Sequence, residues 1–457
     1  MDTAKQLRKL PSIDRVLKTA AAGRLKARFL PRLVDAEVRA LVEDLRGTMK
    51  EGGDPGDLAP EAVAERAGAR LSARLAPGIV RCVNATGVIL HTGLGRAAFA
   101  PKVIEALDRE LQGYCVVSVD RQEGQRVRRE TAAARMLTAL TGAEAATVVN
   151  NNAAATLIAL NTLAAGREVV ISRGQLVEIG GSFRMPDVFK AAGVVLKEVG
   201  TTNRTHRRDY ADAIGPSTGL LLRVHPSNFR TVGFTAEVPL GELIELGRAA
   251  NVPVMDDLGA GALVPIEPEP EIGESLALGA DLVTCSGDKL IGGPQCGILL
   301  GKLEWIDRVR KNPLFRALRV DKMTLCALEA TLGLFLAPGG PGDAHPTFRM
   351  LHMGAPDLKR RASALRARLK KEAPRLATEV RPGFSEVGSG SLPGGSLPTT
   401  LVSIRHPTLS AAALARMLRF GDPPVYARIV DDLVCIDPRT LLPGDDRLLV
   451  RALKEVS

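Results

Sequence analysis

Aromatic residues make up only 3% of this 457-residue chain, with one Trp, three Tyr and eleven Phe. So small a supply argues against RNA recognition by rows of exposed rings that stack on bases. Cysteine is scarce as well. The six residues Cys82, Cys115, Cys285, Cys296, Cys326 and Cys435 are scattered, with no C-x-x-C pair and no nearby histidine set. That pattern suggests neither a zinc site nor a disulfide framework, so reduced thiols and no bound metal are expected. No apolar stretch approaches the roughly twenty uninterrupted residues of a membrane helix. The amino terminus is interrupted by charge throughout, unlike a cleavable leader. A cytoplasmic protein without membrane contact is expected.

What the chain has in excess is positive charge, +10 in all. Residues 1–32 carry Lys5, Arg8, Lys9, Arg15, Lys18, Arg24, Lys26, Arg28 and Arg32 against only Asp2 and Asp14. A basic face of this kind attracts polyanions, nucleic acid first. Only Phe29 offers a ring there, so recognition of a folded RNA through backbone and shape is expected, and DNA is not. A second basic cluster, Lys359 to Arg361 with Arg366, Arg368, Lys370 and Lys371, is read as a solvated helix face.

Three textures succeed one another. Residues 1–75 read as short amphipathic helices, with Leu7, Leu10, Val16, Leu17, Leu25 and then Val34, Val38, Leu41, Val42 and Leu45 at helical intervals. Residues 76–336 alternate apolar strands with helices, the strands lying at 147–149, 168–172, 194–199, 220–224, 252–255, 282–285 and 297–300. Continuous apolar strands separated by helices indicate an α/β fold with a mainly parallel sheet covered on both faces. Ligands of such sheets sit at the carboxyl ends of the strands. Residues 337–457 begin with a Pro/Gly linker lacking clear periodicity to Pro356, then a helix from Asp357 to about Leu376. A turn region from Gly388 to Pro398 and strands at 399–404 and 433–436 complete a small α+β lobe.

Chemistry concentrates at the ends of two strands. Asp281 to Cys285 is followed by Ser286-Gly-Asp288-Lys289 and the turn Gly292-Gly-Pro294. A lysine after a strand is ordinarily a solvated loop residue, but one that is desolvated drops its pKa and forms an imine with an aldehyde cofactor. The strand at 252–255 is expected to end in Asp256-Asp257, offering an acid at the same sheet edge. Pyridoxal 5′-phosphate (PLP) enzymes need such a lysine, and an acid for the pyridine nitrogen, here Asp257. Asn150-Asn151-Asn152 opens a helix after the strand at 147–149. Ordinary capping by Asn152 accounts for this run. With Ser286 opposite, however, its free amides are better read as a cup for the cofactor phosphate. Arg96, in the glycine turn His91 to Arg96, and Arg316 with Arg319, one helical turn apart, offer planar cations to a phosphate-like anion.

In order along the chain stand Leu10 to Arg15, Asn84-Ala-Thr-Gly87, His91 to Arg96, Ser172-Arg-Gly174, Glu178 to Arg184, Val199 to Arg204, Phe234 to Glu237, Ser286 to Lys289 with Gly292 to Gln295, and Arg316 to Lys322. Together these motifs resemble the bacterial selenocysteine synthases, the L-seryl-tRNA(Sec) selenium transferases, over nearly the whole chain. The resemblance implies a PLP-dependent transferase of fold type I. Such an enzyme converts serine esterified to tRNA(Sec) into selenocysteine with selenophosphate, through an aminoacrylyl intermediate. It also implies a homodecamer, a pentamer of dimers, and a small amino-terminal domain that binds the tRNA. Lys289 matches the family's Schiff-base lysine, Asp288 its neighbouring acid, and Arg96, Arg316 and Arg319 the arginines that hold the selenium donor. Two departures stand out. Gly93 replaces the family's usual asparagine, and the loop Gly124 to Arg129 keeps only Arg126 and Arg129 of the common pattern.

Three rival readings follow from the residues. An RNA-free PLP enzyme acting on a small amino acid would lack the basic amino-terminal module. An RNA-binding protein with a decayed site would not keep both Lys289 and Asp257. Serine acylation through Ser286 would need partner motifs that are missing.

Overall fold

The structure, a computed structural model, describes every residue except 1–6, 181–182, 227–228, 230 and 389–390. Lys5 of the first basic segment, Gly181 and Ser182 of the motif at 178–184, and the tip 389–390 of the expected turn region lie outside the described residues. The chain divides into two compact units, Met1–Arg81 and Cys82–Ser457.

The first unit is helical, as the apolar spacing requires. Its helices run Ile13–Leu17, Ala20–Arg28, Pro31–Lys50 and Pro60–Arg74, the first two capped by the side chains of Ser12 and Thr19. Val16, Val34, Val38, Leu41, Val63 and Leu71 form the core. Glu37 is buried there and is held by Arg70 and Arg74, each at 2.9 Å, so that the carboxylate does not stand uncompensated. Several basic residues are already paired: Lys18 with Asp14, Lys26 with Asp35, and Arg24 with Glu61 and Glu65.

The second unit contains two sheets. The larger has seven strands: β2 (Ala145–Val149), β3 (Glu168–Ser172), β6 (Val195–Val199), β7 (Thr218–Val224), β8 (Val254–Gly259), β9 (Leu282–Ser286) and β10 (Gly297–Gly301). Their order is β2-β10-β9-β8-β7-β3-β6, with β9, β8, β7, β3 and β6 mutually parallel and β10 antiparallel to both its neighbours. β2, β9 and β10 are buried at every residue, which explains their unbroken apolar sequence. β8 differs from expectation. It continues through Asp256 and Asp257 instead of ending before them, because both carboxylates find partners inside the protein. Between β3 and β6 a two-stranded ladder joins β4 (Glu178–Ile179) to β5 (Phe183–Arg184).

The smaller sheet has five strands in the order β1-β13-β14-β12-β11. It comprises β1 (Val83–Ala85), β11 (Ala377–Gly388), β12 (Ser391–Arg405), β13 (Val425–Val430) and β14 (Leu433–Ile436). The segment 76–336 therefore lends one strand, β1, to a sheet otherwise built from 337–457, and the Val83 amide donates to Pro424 O at 2.8 Å. The expected turn region from Gly388 to Pro398 is instead mostly strand. β11 and β12 form a long hairpin in which Phe384 pairs with Pro398 and Pro382 with Thr400. Proline is tolerated because only residues 402–404 of β12 pair with β14, so the outer arms need no further donors. The expected linker contains a further helix, Pro346–His352.

Asp437 ties the smaller sheet together. It is fully buried and accepts from Ser385 Oγ at 2.7 Å, Thr399 Oγ1 at 2.9 Å, the Arg439 amide at 3.0 Å and Arg428 at 3.1 Å. A Cβ on Gly87 would collide with this carboxyl, which accounts for the glycine in Asn84-Ala-Thr-Gly87. Among the described residues no helix is long and apolar enough to cross a membrane.

Candidate active site

The alternation of a strand sends Asp256 and Asp257 to opposite faces of the large sheet. Asp256 turns to the structural side, where Arg223 lies 2.9 Å away and Ser275 donates at 2.7 Å. Asp257 turns to the other. Its Oδ1 accepts from Asn152 Nδ2 at 2.9 Å and from the Gly259 amide at 3.3 Å, and its Oδ2 accepts from Thr156 Oγ1 at 3.0 Å. Burial pushes the Asp257 carboxyl above the ordinary carboxylate range even though these donors pull it down. A buried acid in that condition is best matched by a cation.

One strand over, β9 delivers Ser286, Asp288 and Lys289. The loop that carries them is fixed by its own backbone: Gly287 N donates to Cys296 O at 2.9 Å and Gly293 N to Gly287 O at 2.8 Å. Gly292 must be glycine, since its φ is +68° and a Cβ would strike the His345 ring. His345 in turn contacts Ile291 O through Nε2 at 2.9 Å, which pins the turn after Lys289. The Lys289 amine is lowered from its ordinary pKa, first by burial and then by Arg96, while Asp288, Asp257 and Glu269 oppose the shift. The result is an amine with more of its nucleophilic neutral form near pH 7.

Arg96 reaches Lys289's neighbour from the glycine turn at 91–96. Its backbone is left-handed, φ +62°, next to Gly95 at +90°. This aims the guanidinium at Asp288, with NH1 2.6 Å from Oδ2. The other Asp288 oxygen accepts from Ser286 Oγ at 2.6 Å. Asn151, not Asn152, caps the helix Asn152–Ala164, accepting from the Ala154 amide at 2.8 Å. Asn152 is thereby free to hold Asp257. Lys289, Asp257, Ser286, Asn151, Asn152 and Arg96 all border one cavity of about 220 Å³.

Arg316 and Arg319 do not border that cavity, and they do not share a helix. The helix Leu314–Ala317 is too short to include Arg319, which instead bridges Val149 at the end of β2. The Asn150 amide bonds Leu318 O at 3.0 Å, which draws this segment out of helical geometry. Both arginines are exposed; burial first, and then the charges of Arg319, Arg126 and Arg316, depress the pKa of Arg129, which donates to Val320 O at 3.3 Å. The two arginines kept in the altered loop thus cluster with the two expected to bind an anion.

Comparison with known proteins decides the family. The family model described as L-seryl-tRNA selenium transferase matches residues 82–442. The L-seryl-tRNA(Sec) selenium transferase of Desulfomicrobium baculatum is 47% identical over 458 residues, covering 98% of either chain. The chain belongs to this family. The enzyme of the same name from Geobacter sulfurreducens is 44% identical, covering 98% of this chain and 99% of its own. Among solved structures, D-glucosaminate-6-phosphate ammonia-lyase matches with a TM-score of 0.59 over 84% of this chain and 97% of its own. At 22% identity that likeness is one of fold. The selenium transferase family membership makes this chain a PLP-dependent enzyme of fold type I, as the resemblance implies, built on the mainly parallel sheet that the strand pattern leads one to expect.

For this transferase, reading the sequence misses three contributors. Thr156 and His345 carry no motif signal, because their roles exist only through tertiary contacts with Asp257 and Ile291. His225 does carry one. It stands immediately after β7, at the same carboxyl edge as Asp257 and Lys289, and it borders the cavity. Gly93 lies against His91, whose buried Nδ1 has no hydrogen-bond partner.

Proposed function

We propose that this enzyme converts L-seryl-tRNA(Sec) to L-selenocysteinyl-tRNA(Sec), with selenophosphate as donor and an aminoacrylyl-tRNA stage between. The observation that carries the reading is the placement of Asp257 and Lys289 on one cavity at the carboxyl ends of β8 and β9. Family membership narrows the substrate.

The residues present suit PLP. The buried Asp257 carboxyl faces the cavity where a pyridine nitrogen would hold its proton, and Lys289 offers a desolvated amine. Asn151 and the first amides of the helix Asn152–Ala164, with Ser286, form the anion end. Ser286 must turn its hydroxyl away from Asp288 to join them. Asn152 serves by orienting Asp257 rather than by reaching the phosphate. When bound, PLP supplies a sink for the charge that develops at Cα.

The chain's own residues do the rest. Lys289, as the desolvated amine on this cavity, would remove the Cα proton. Asp288 holds Arg96 at the rim, and Arg96, with Arg316 and Arg319, is assigned to the phosphate portion of the donor. Arg316 and Arg319 do not border the cavity of their own chain, and we assign them to the site of another subunit in a homodecamer built from dimers. The basic helices of the first unit are assigned to tRNA(Sec), and the cytosol is the proposed compartment.

The test is to offer the purified protein seryl-tRNA(Sec) and selenophosphate, with free serine as control, and to identify the product. Selenocysteinyl-tRNA from the charged tRNA alone supports the reading. Equal turnover of free serine would place the enzyme among RNA-independent eliminases.

A further inference from the structure

The β-hydroxyl of serine is a poor leaving group, because it would depart as hydroxide, a strongly basic anion. Protonation by a positioned acid typically contributes about 10²–10⁴-fold to such a step. A donor separate from Lys289 would spare Lys289 that task. The proton Lys289 takes from Cα is needed again at Cα after selenium has added to Cβ.

A second proton donor borders the same cavity. His225 follows β7, and its backbone amide bonds Asp257 O at 2.9 Å, which fixes it beside the acid. Its Nε2 lies 3.6 Å from Oε2 of Glu269, whose side chain is only 2% exposed while that of His225 is 18% exposed. A buried carboxylate at that distance gives the imidazole a fixed partner on the side away from solvent and so orients the ring. Glu269 is also near enough to Lys289 to act on its charge. Acid, imidazole and amine therefore belong to one electrostatic site.

Resting on the reading above, we propose that His225, oriented by Glu269, is the catalytic acid that protonates the departing β-hydroxyl. Lys289 takes the Cα proton and the C–H electron pair becomes the Cα=Cβ bond. The Cβ–O bond breaks, and the oxygen leaves as water with the proton of the His225 imidazolium. Solvent restores that proton before the next turnover.

The experiment compares tRNA(Sec) charged with serine and with β-chloroalanine, whose chloride leaves without a proton. His225→Gln should slow release from serine by about 10²–10⁴-fold while chloride release stays within about threefold of wild type. Glu269→Gln should show the same selectivity with a smaller loss. PLP affinity, read from cofactor absorbance, and the melting temperature of the apoprotein should stay at wild-type values for both variants. Equal losses on the two substrates, or no loss on serine, would overturn the assignment to His225 alone. A wild-type enzyme inert toward both charged tRNAs would overturn the proposed function, and this inference with it.

Discussion

Asn152 and Asp257 are joined by a 2.9 Å hydrogen bond that runs from the first turn of a helix to the end of β8. The asparagine that stands where a phosphate ligand is expected thus governs the acid instead. Its Oδ1 is buried without a partner, so the amide is committed to a single task. Asn152→Ala should leave Asp257 with Thr156 and the Gly259 amide. A lost hydrogen bond to a charged group costs about 1.5–3 kcal/mol, so PLP affinity should fall by roughly one to two orders of magnitude. Titration of cofactor absorbance checks this, and unchanged affinity would detach Asn152 from the cofactor site.

Asp257 makes the apoprotein pay a pH-dependent penalty. Burial raises its folded-state pKa above the unfolded value. Below the unfolded pKa both states are protonated and no difference arises. As pH rises past it, the unfolded state releases its proton first, so stability falls with pH. Asp257→Asn should abolish this contribution. The difference in apoprotein melting temperature between variant and wild type should therefore grow in the variant's favour from acid to neutral pH, while turnover collapses. A pH-independent difference would contradict the assigned shift.

The large sheet was legible in the sequence because its inner strands carry continuous apolar runs, as burial on both faces requires, while the edge strand β6 keeps Lys197 and Glu198. The core of the candidate site was legible for a related reason. Asp257 and Lys289 are polar residues at the ends of such runs, where a parallel sheet gathers ligands. The β11–β12 hairpin was not legible, since the Gly, Ser and Pro residues that mark turns are also tolerated in outer hairpin arms. Nor was the parting of Arg316 and Arg319. Their spacing fits one helix face, but the contact of Leu318 with Asn150 overrides it. The exchange of roles between Asn151 and Asn152 depends on where Asp257 lies, which no local pattern records.

Asp437 should prove the most costly residue to truncate outside the active site. Removing one partner from a buried charge network leaves the others uncompensated, at about 3–5 kcal/mol. Asp437→Ala frees Arg428, Ser385 and Thr399 together. A marked drop in the urea midpoint is expected, and a shift no larger than that of a surface substitution would show the hub to be dispensable.

The first unit can be removed without cutting the smaller sheet, since Val83 to Ala85 of β1 lie beyond Arg81. A chain starting at Cys82 should retain PLP absorbance and bind tRNA(Sec) far more weakly. Its affinity should also depend less steeply on salt, because phosphate contacts release counterions. Filter binding over a range of salt concentrations measures both quantities, and unaltered affinity would refute the role given to the basic helices.

The proposed chemistry depends most on a covalent bond between Lys289 and the cofactor aldehyde. Reduction of the PLP-loaded protein with borohydride, digestion and peptide mass analysis would locate it. A pyridoxyl-phosphate label is expected on Lys289, lost together with the visible absorbance in Lys289→Ala. A label on any other lysine, or none on a protein that still turns over seryl-tRNA, would contradict it.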